Sequence, residues 1–109
     1  MVKIEDNKIT MTRGDTLETT VEIFTKQGEP YIPSSLDRIR FALKKKYTDV
    51  EPLIVKEVPY DTMLLRLDPE DTKPLAFGDY VYDMELTTSD GFVDTFIDKK
   101  HLKITEEVY

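Results

Sequence analysis

The chain has 109 residues, 39 % of them hydrophobic, and no cysteine. That length suits one domain around one two-layer core, held without disulfides or thiolate-bound metal, and no run approaches the roughly 18 to 20 apolar residues of a membrane span. Twenty-two acidic against fifteen basic side chains give a formal charge of −7, which repels a phosphate backbone and predicts no nucleic-acid partner.

The opening residues Met1-Val2-Lys3-Ile4-Glu5-Asp6-Asn7 have no apolar core of a secretory signal and carry acid early. Synthesis and retention in the cytoplasm are therefore expected, unless the chain is assembled into something exported. Val2-Lys3-Ile4-Glu5 and Lys8-Ile9-Thr10-Met11-Thr12 alternate apolar with polar around the turn signal Asp6-Asn7, which predicts a short strand or a strand pair at the first edge. Arg13-Gly14-Asp15 breaks the alternation. The tripeptide is one that integrins bind, but so short a string recurs by chance, and a tight turn needs the glycine in any case.

From Thr16 to Thr25, Leu17, Thr19, Val21 and Ile23 fall on one face and Glu18, Thr20, Glu22 and Phe24 on the other, so a strand is expected. The proline-rich segment 30–36 is unsuited to a central strand and reads as a loop crossing between sheets. A second strand follows in Arg38–Lys44, with Ile39, Phe41 and Leu43 inward and Arg38 and Arg40 outward. The run Lys44-Lys45-Lys46 reads as a solvated strand end. Leu53–Val58, closed by Pro59, and Met63–Leu67, with Met63, Leu65 and Leu67 toward the core, are two more strands.

Leu67-Asp68-Pro69-Glu70-Asp71-Thr72 then opens a polar corner suited to a single helical turn, and the segment 68–78 reads as a second connection that changes sheet. After Gly78 the chain alternates again. Tyr80, Tyr82, Met84 and Leu86 share the core face; Val81, Asp83, Glu85 and Thr87 share the other. Ser89-Asp90-Gly91 marks a hairpin, after which Phe92–Ile97 returns as a strand. Leu102–Thr105 is a last, short strand before an acidic tail. Arg38 and Arg40 are expected to face Asp83 and Glu85 across neighbouring strands and to oppose register slips. The terminal strands, with Val2, Ile4, Leu102 and Ile104, are expected to form the open edges where a partner chain adds.

Catalytic chemistry is poorly supplied. His101 is the single histidine, no cysteine is present, and no serine sits in a Gly-x-Ser-x-Gly turn, so a nucleophile has neither base nor elbow. The carboxylates lie on outward strand faces rather than in a facing pair. Asp68, Glu70, Asp71 and Asp79 crowd one corner, but their spacing matches no calcium loop and acids suit a helical N-terminus anyway. A lone histidine builds no zinc site within one chain without three acidic helpers. A non-enzyme without cofactor or metal is expected. Tyr80, Tyr82, Phe41, Phe92 and Phe96 fall on core faces and Phe24, Tyr31, Tyr47 and Tyr60 in scattered turns, which weighs against a carbohydrate-binding or adhesion face.

A tyrosine two residues after a glycine at the start of such a strand resembles the tyrosine corner of immunoglobulin-like sandwiches, with Tyr80, Gly78 and Asp71 as its parts and Tyr82 where an antibody domain has its second cysteine. The Tyr80 hydroxyl is expected to point at the backbone of the corner around Asp71 to Leu75. The strand count and turn spacing predict an all-β sandwich of seven or eight mostly antiparallel strands in one domain, with a closed barrel as the rival. Together with Arg13-Gly14-Asp15-Thr16, Gly28-Glu29-Pro30-Tyr31, Arg38–Lys44, Leu67–Thr72, Gly78–Leu86 and Asp90-Gly91, these features make the chain similar to small immunoglobulin-like proteins of phages and prophages of Gram-positive bacteria. It also resembles the immunoglobulin-like N-terminal domain of phage baseplate upper proteins. The resemblance implies a structural module of a tail, baseplate or head–tail accessory. Other virion proteins are its implied partners, a homo-oligomer is possible, and its implied place is the bacterial cytoplasm and then the virion. A baseplate upper protein continues into a long stem where this chain stops at Tyr109, which favours a free-standing component.

Overall fold

A computed structural model describes residues 2–5 and 7–106, and the side chains of 7–106. They form eight strands and one helical turn: β1 (Val2–Glu5), β2 (Lys8–Thr12), β3 (Leu17–Thr20), β4 (Arg38–Lys44), β5 (Ile54–Val58), β6 (Leu64–Leu67), α1 (Pro69–Thr72), β7 (Gly78–Thr87) and β8 (Val93–Thr105). The alternating apolar pattern sets one face of each strand against a common core. Ile9 and Met11, Ile39, Phe41 and Leu43, all four of Tyr80, Tyr82, Met84 and Leu86, and Leu102 with Ile104 are buried from one sheet. Leu17, Leu65 and Leu67 meet them from the other, within a single cluster.

The larger sheet has the order β1-β2-β8-β7-β4-β5 and the smaller pairs β3 with β6. Every pairing is antiparallel except β2 with β8, which is parallel and sets Ile9 beside Leu102 and Met11 beside Ile104. The chain changes sheet between β3 and β4, across the proline-rich segment, and between β6 and β7, across the corner. Both were expected. A barrel built from successive neighbours is not what forms, because β2 and β3, and β5 and β6, also part company.

Three expectations are corrected. Leu102 and Ile104 are not at an edge: β8 lies between β2 and β7, and both side chains are almost wholly buried. Local alternation identifies a strand, whereas centrality depends on the parallel return of β2, which no local pattern encodes. The expected strands Phe92–Ile97 and Leu102–Thr105 are one continuous element. Its register against β7 slips twice, between Tyr82 and Met84 and between Met84 and Glu85; at the first slip Lys99 takes a φ of 53° and its N–H donates to the Asp83 carboxylate at 2.7 Å. A bulge of this kind lets the core face change parity without ending the strand. The strand expected over Thr16–Thr25 pairs with β6 only as far as Thr20. Beyond it, Met63, the residue before β6, turns to a φ of 53°, and the chain pairs instead with its own return, Tyr31 N–H donating to the Ile23 carbonyl at 2.8 Å.

The β1–β2 pair did form, around Asn7 at a φ of 65°. Val2 and Ile4 lie on β1, the outer strand of the larger sheet; Asp6 and residues 107–109 lie outside the described residues.

Candidate interaction surface

The corner expected around Tyr80 is held by hydrogen bonds of Tyr80, Asp71 and Thr72. The Tyr80 hydroxyl donates to the Ala76 carbonyl at 2.7 Å, one residue past the span Asp71 to Leu75 that the sequence favoured. Burial pushes the phenol above its ordinary pKa. Asp71 accepts the Asp68 N–H at 2.7 Å and the Lys56 ammonium at 2.9 Å. Thr72, fully buried, accepts the Gly14 N–H at 2.8 Å, so the Arg-Gly-Asp turn is fastened to α1. The Arg13 guanidinium lies 4.4 Å over the Phe77 ring. Gly78 has a φ of +135°, and a Cβ there would stand 3.3 Å from the Lys45 ammonium. That ammonium donates to the Asp79 carbonyl at 3.0 Å and lies 4.5 Å over the Tyr80 ring, so a side chain at 78 would strain the backbone and displace a lysine.

Of the four acids at the corner, Asp68 and Asp71 are engaged within it, while Glu70 and Asp79 are exposed. Arg66 Nε donates to Asp68 at 2.8 Å and holds that carboxyl below its usual pKa, while its other arm bonds Glu18. Among the described residues no group of three histidines, cysteines or carboxylates is placed to hold a metal ion. His101 is exposed on β8, opposite Val81.

Of the four charges expected to meet across β4 and β7, two do. The strands are neighbours and Arg40 registers with Glu85, 3.4 Å apart. Arg38 registers with Thr87 and pairs instead with Glu57 of β5. Asp83 registers with Ala42 and spends its carboxylate on the β8 bulge.

Edges and concavities carry the remaining interest. The outer edge of β5 turns Lys56 to the same face as buried Ile54 and Val58, toward Asp71. An inward charge of that kind discourages edge-to-edge pairing. β3 pairs only with β6 among the described strands, and its other edge borders a groove of about 390 Å³ lined by Ile9, Val21, Tyr82, Met84, Phe96 and Ile97 among others. On the opposite flank of residues 21–24 lies a second groove of about 390 Å³, with Phe24, Tyr31, Tyr60 and Met63 in its wall. Tyr31 donates to the Asp37 carboxylate at 2.7 Å, which with burial raises its pKa.

Two aromatic assignments change. Phe92 is exposed rather than on a core face, because the hairpin loop, closed by Thr88 N–H to the Phe92 carbonyl, ends only there. Phe24, Tyr31 and Tyr60 are not scattered; folding brings them to one groove, while Tyr47 sits apart beneath Lys99. The sequence did hold one signal: Phe24 occupies the face otherwise given to Glu18, Thr20 and Glu22, and it is 54 % exposed. No helix among the described residues is long and apolar enough to cross a membrane. Comparison with family models, curated proteins and solved structures finds no match for the chain.

Proposed function

We propose that the chain is an immunoglobulin-like β-sandwich that works as a non-catalytic protein-interaction module of a phage or prophage particle, in its tail, baseplate or head–tail region. For the fold, the support is strand order: β4, β7 and β8 stand as neighbours in one sheet, with β3 and β6 opposite, as strands C, F, G and B, E do in that architecture. The Tyr80 hydroxyl bonded to the chain just upstream of its strand supports the same reading. The particle context rests on the sequence resemblance.

The observation that carries the interaction role is the open edge of β3 beside an apolar groove, a surface that another polypeptide can extend. Its partners are other virion proteins or further copies of itself. A charge of −7 makes nucleic acid an unfavourable partner. The chain is made in the bacterial cytoplasm and carried into the virion. Particles purified by gradient should contain it in fixed proportion to tail or head proteins. Its absence from them, or hydrolysis of a glycan or peptide by the purified protein, would overturn the proposal.

One observation favours a second reading, a carbohydrate-binding or adhesion module: the groove walled by Phe24, Tyr31 and Tyr60. Titration with soluble cell-wall oligosaccharides, followed by tyrosine fluorescence, separates the two. A saturable change abolished by Tyr60→Ala would select the glycan reading.

A further inference from the structure

We infer that the free edge of β3 is a strand-addition site for an extended partner segment that alternates apolar with basic residues. The inference rests on the interaction-module reading and names the surface and the chemistry of its occupant. Val21 N–H donates to the Met63 carbonyl on the β6 side at 2.7 Å. Backbone groups alternate sides along a strand, so those of Glu18, Thr20 and Glu22 point away from β6. Among the described residues nothing pairs with that side.

The groove beside it is lined by the consecutive residues Thr19, Thr20, Val21 and Glu22 on one wall and by Ile9, Met84 and Ile97 opposite. An added strand would thus find backbone partners along one side and an apolar floor for every second side chain. The edge of β5, by contrast, is guarded by Lys56.

Charge selects the occupant. Among the described residues, Glu22 is the only charged one lining this groove, and Glu22 with Asp61 are the only ones lining its neighbour across residues 21–24. No described lysine or arginine lines either groove, and the chain as a whole carries −7. A second copy would bring acid against acid. A strand with lysine or arginine at its solvent-facing positions would set a cation beside Glu22 and valine-like side chains in the groove.

The probe is a capped heptapeptide alternating lysine and valine, added to the intact protein and followed by amide NMR and hydrogen exchange. Shifts and slowed exchange are expected at Glu18, Thr20 and Glu22. The same peptide with N-methylated valines, which keeps the charge but loses strand donors, should leave them unchanged, and a glutamate–valine peptide should not bind. Glu22→Lys should weaken binding by about threefold to tenfold. Thr20→Pro, which removes an outward donor, should abolish it with the rest of the spectrum intact. Shifts confined to β1, equal shifts with the methylated peptide, or no shift at all would overturn the inference. Concentration-dependent broadening at the same amides without peptide would overturn the basic occupant in favour of a second copy. Particle incorporation that persists in Thr20→Pro would end this inference while leaving the interaction role standing.

Discussion

Tyr82 gives stability a specific alkaline signature. Its side chain is 3 % exposed, its hydroxyl donates to the Asn7 carbonyl across the sheet, and burial pushes its pKa up to about 12, against about 10 in an unfolded chain. Between those values the unfolded chain has released the proton and the native protein still holds it. The native state then binds more protons, so stability falls as pH rises. The contribution is fully present below about pH 10 and is lost by about pH 12. A separation of about two pH units corresponds to on the order of 2 to 3 kcal/mol, of which about 2 kcal/mol should be gone by pH 11.5. Urea unfolding of the wild type and Tyr82→Phe, followed by circular dichroism at about pH 8 and pH 11.5, reads this directly. At pH 8 the variant should be less stable by about 1 kcal/mol, the worth of one hydrogen bond. At pH 11.5 the order should reverse, because the wild type alone carries the buried phenol at this site. Lysines and the other tyrosines titrate in both proteins and cancel. Parallel loss in the two proteins between those pH values would refute the reasoning.

Tyr80→Phe removes the bond to Ala76, whose residue is exposed; water can reach that carbonyl, so the cost should be about 0.5 to 1.5 kcal/mol, read as a fall in Tm of roughly 4 to 8 °C per kcal/mol. Thr72→Val keeps the shape but orphans the Gly14 N–H and should cost about 1 to 3 kcal/mol, whereas Thr72→Ser should recover most of that in the same urea titration. A double-mutant cycle on Arg40→Ala and Glu85→Ala should give a coupling of about 0.2 to 1 kcal/mol that shrinks in 1 M salt, since the pair is solvent-exposed. The cycle on Arg38 and Asp83 should give none, their side chains being engaged with Glu57 and Lys99.

What was legible in the sequence was whatever depends on neighbours a few residues apart. The period of two from Tyr80 to Leu86 identified a strand and its buried face, and each of the four residues assigned to the core is there. Pro69 with the acids after it marked the helical turn, and Asp90-Gly91 marked the hairpin. Long-range pairing was not legible. Leu102 and Ile104 alternate with polar residues as an edge strand would, and only the arrival of β2 on their far side makes them central. The β8 bulge was hidden because Lys99, not glycine, adopts the left-handed conformation there. The charge pairs depended on one register: Arg40 met Glu85, and the same register carried Arg38 past both acids to Thr87. The grooves on either side of residues 21–24 needed residues far apart in the chain, Phe24 and Tyr60 or Val21 and Phe96, to arrive together.

The parallel pairing of β2 with β8 has a consequence for how the molecule is made. It joins Ile9 to Leu102, among the first and the last of the described strands, so the chain cannot complete its larger sheet until β8 has been synthesised. Loop closure over that span comes before the contacts that reward it, which places folding in the milliseconds-to-seconds range of β-rich topologies. Until β8 arrives, β2 and β7 each present an unfilled edge to the surroundings. The growing polypeptide is therefore most vulnerable to mispairing with its neighbours in the interval just before β8 docks.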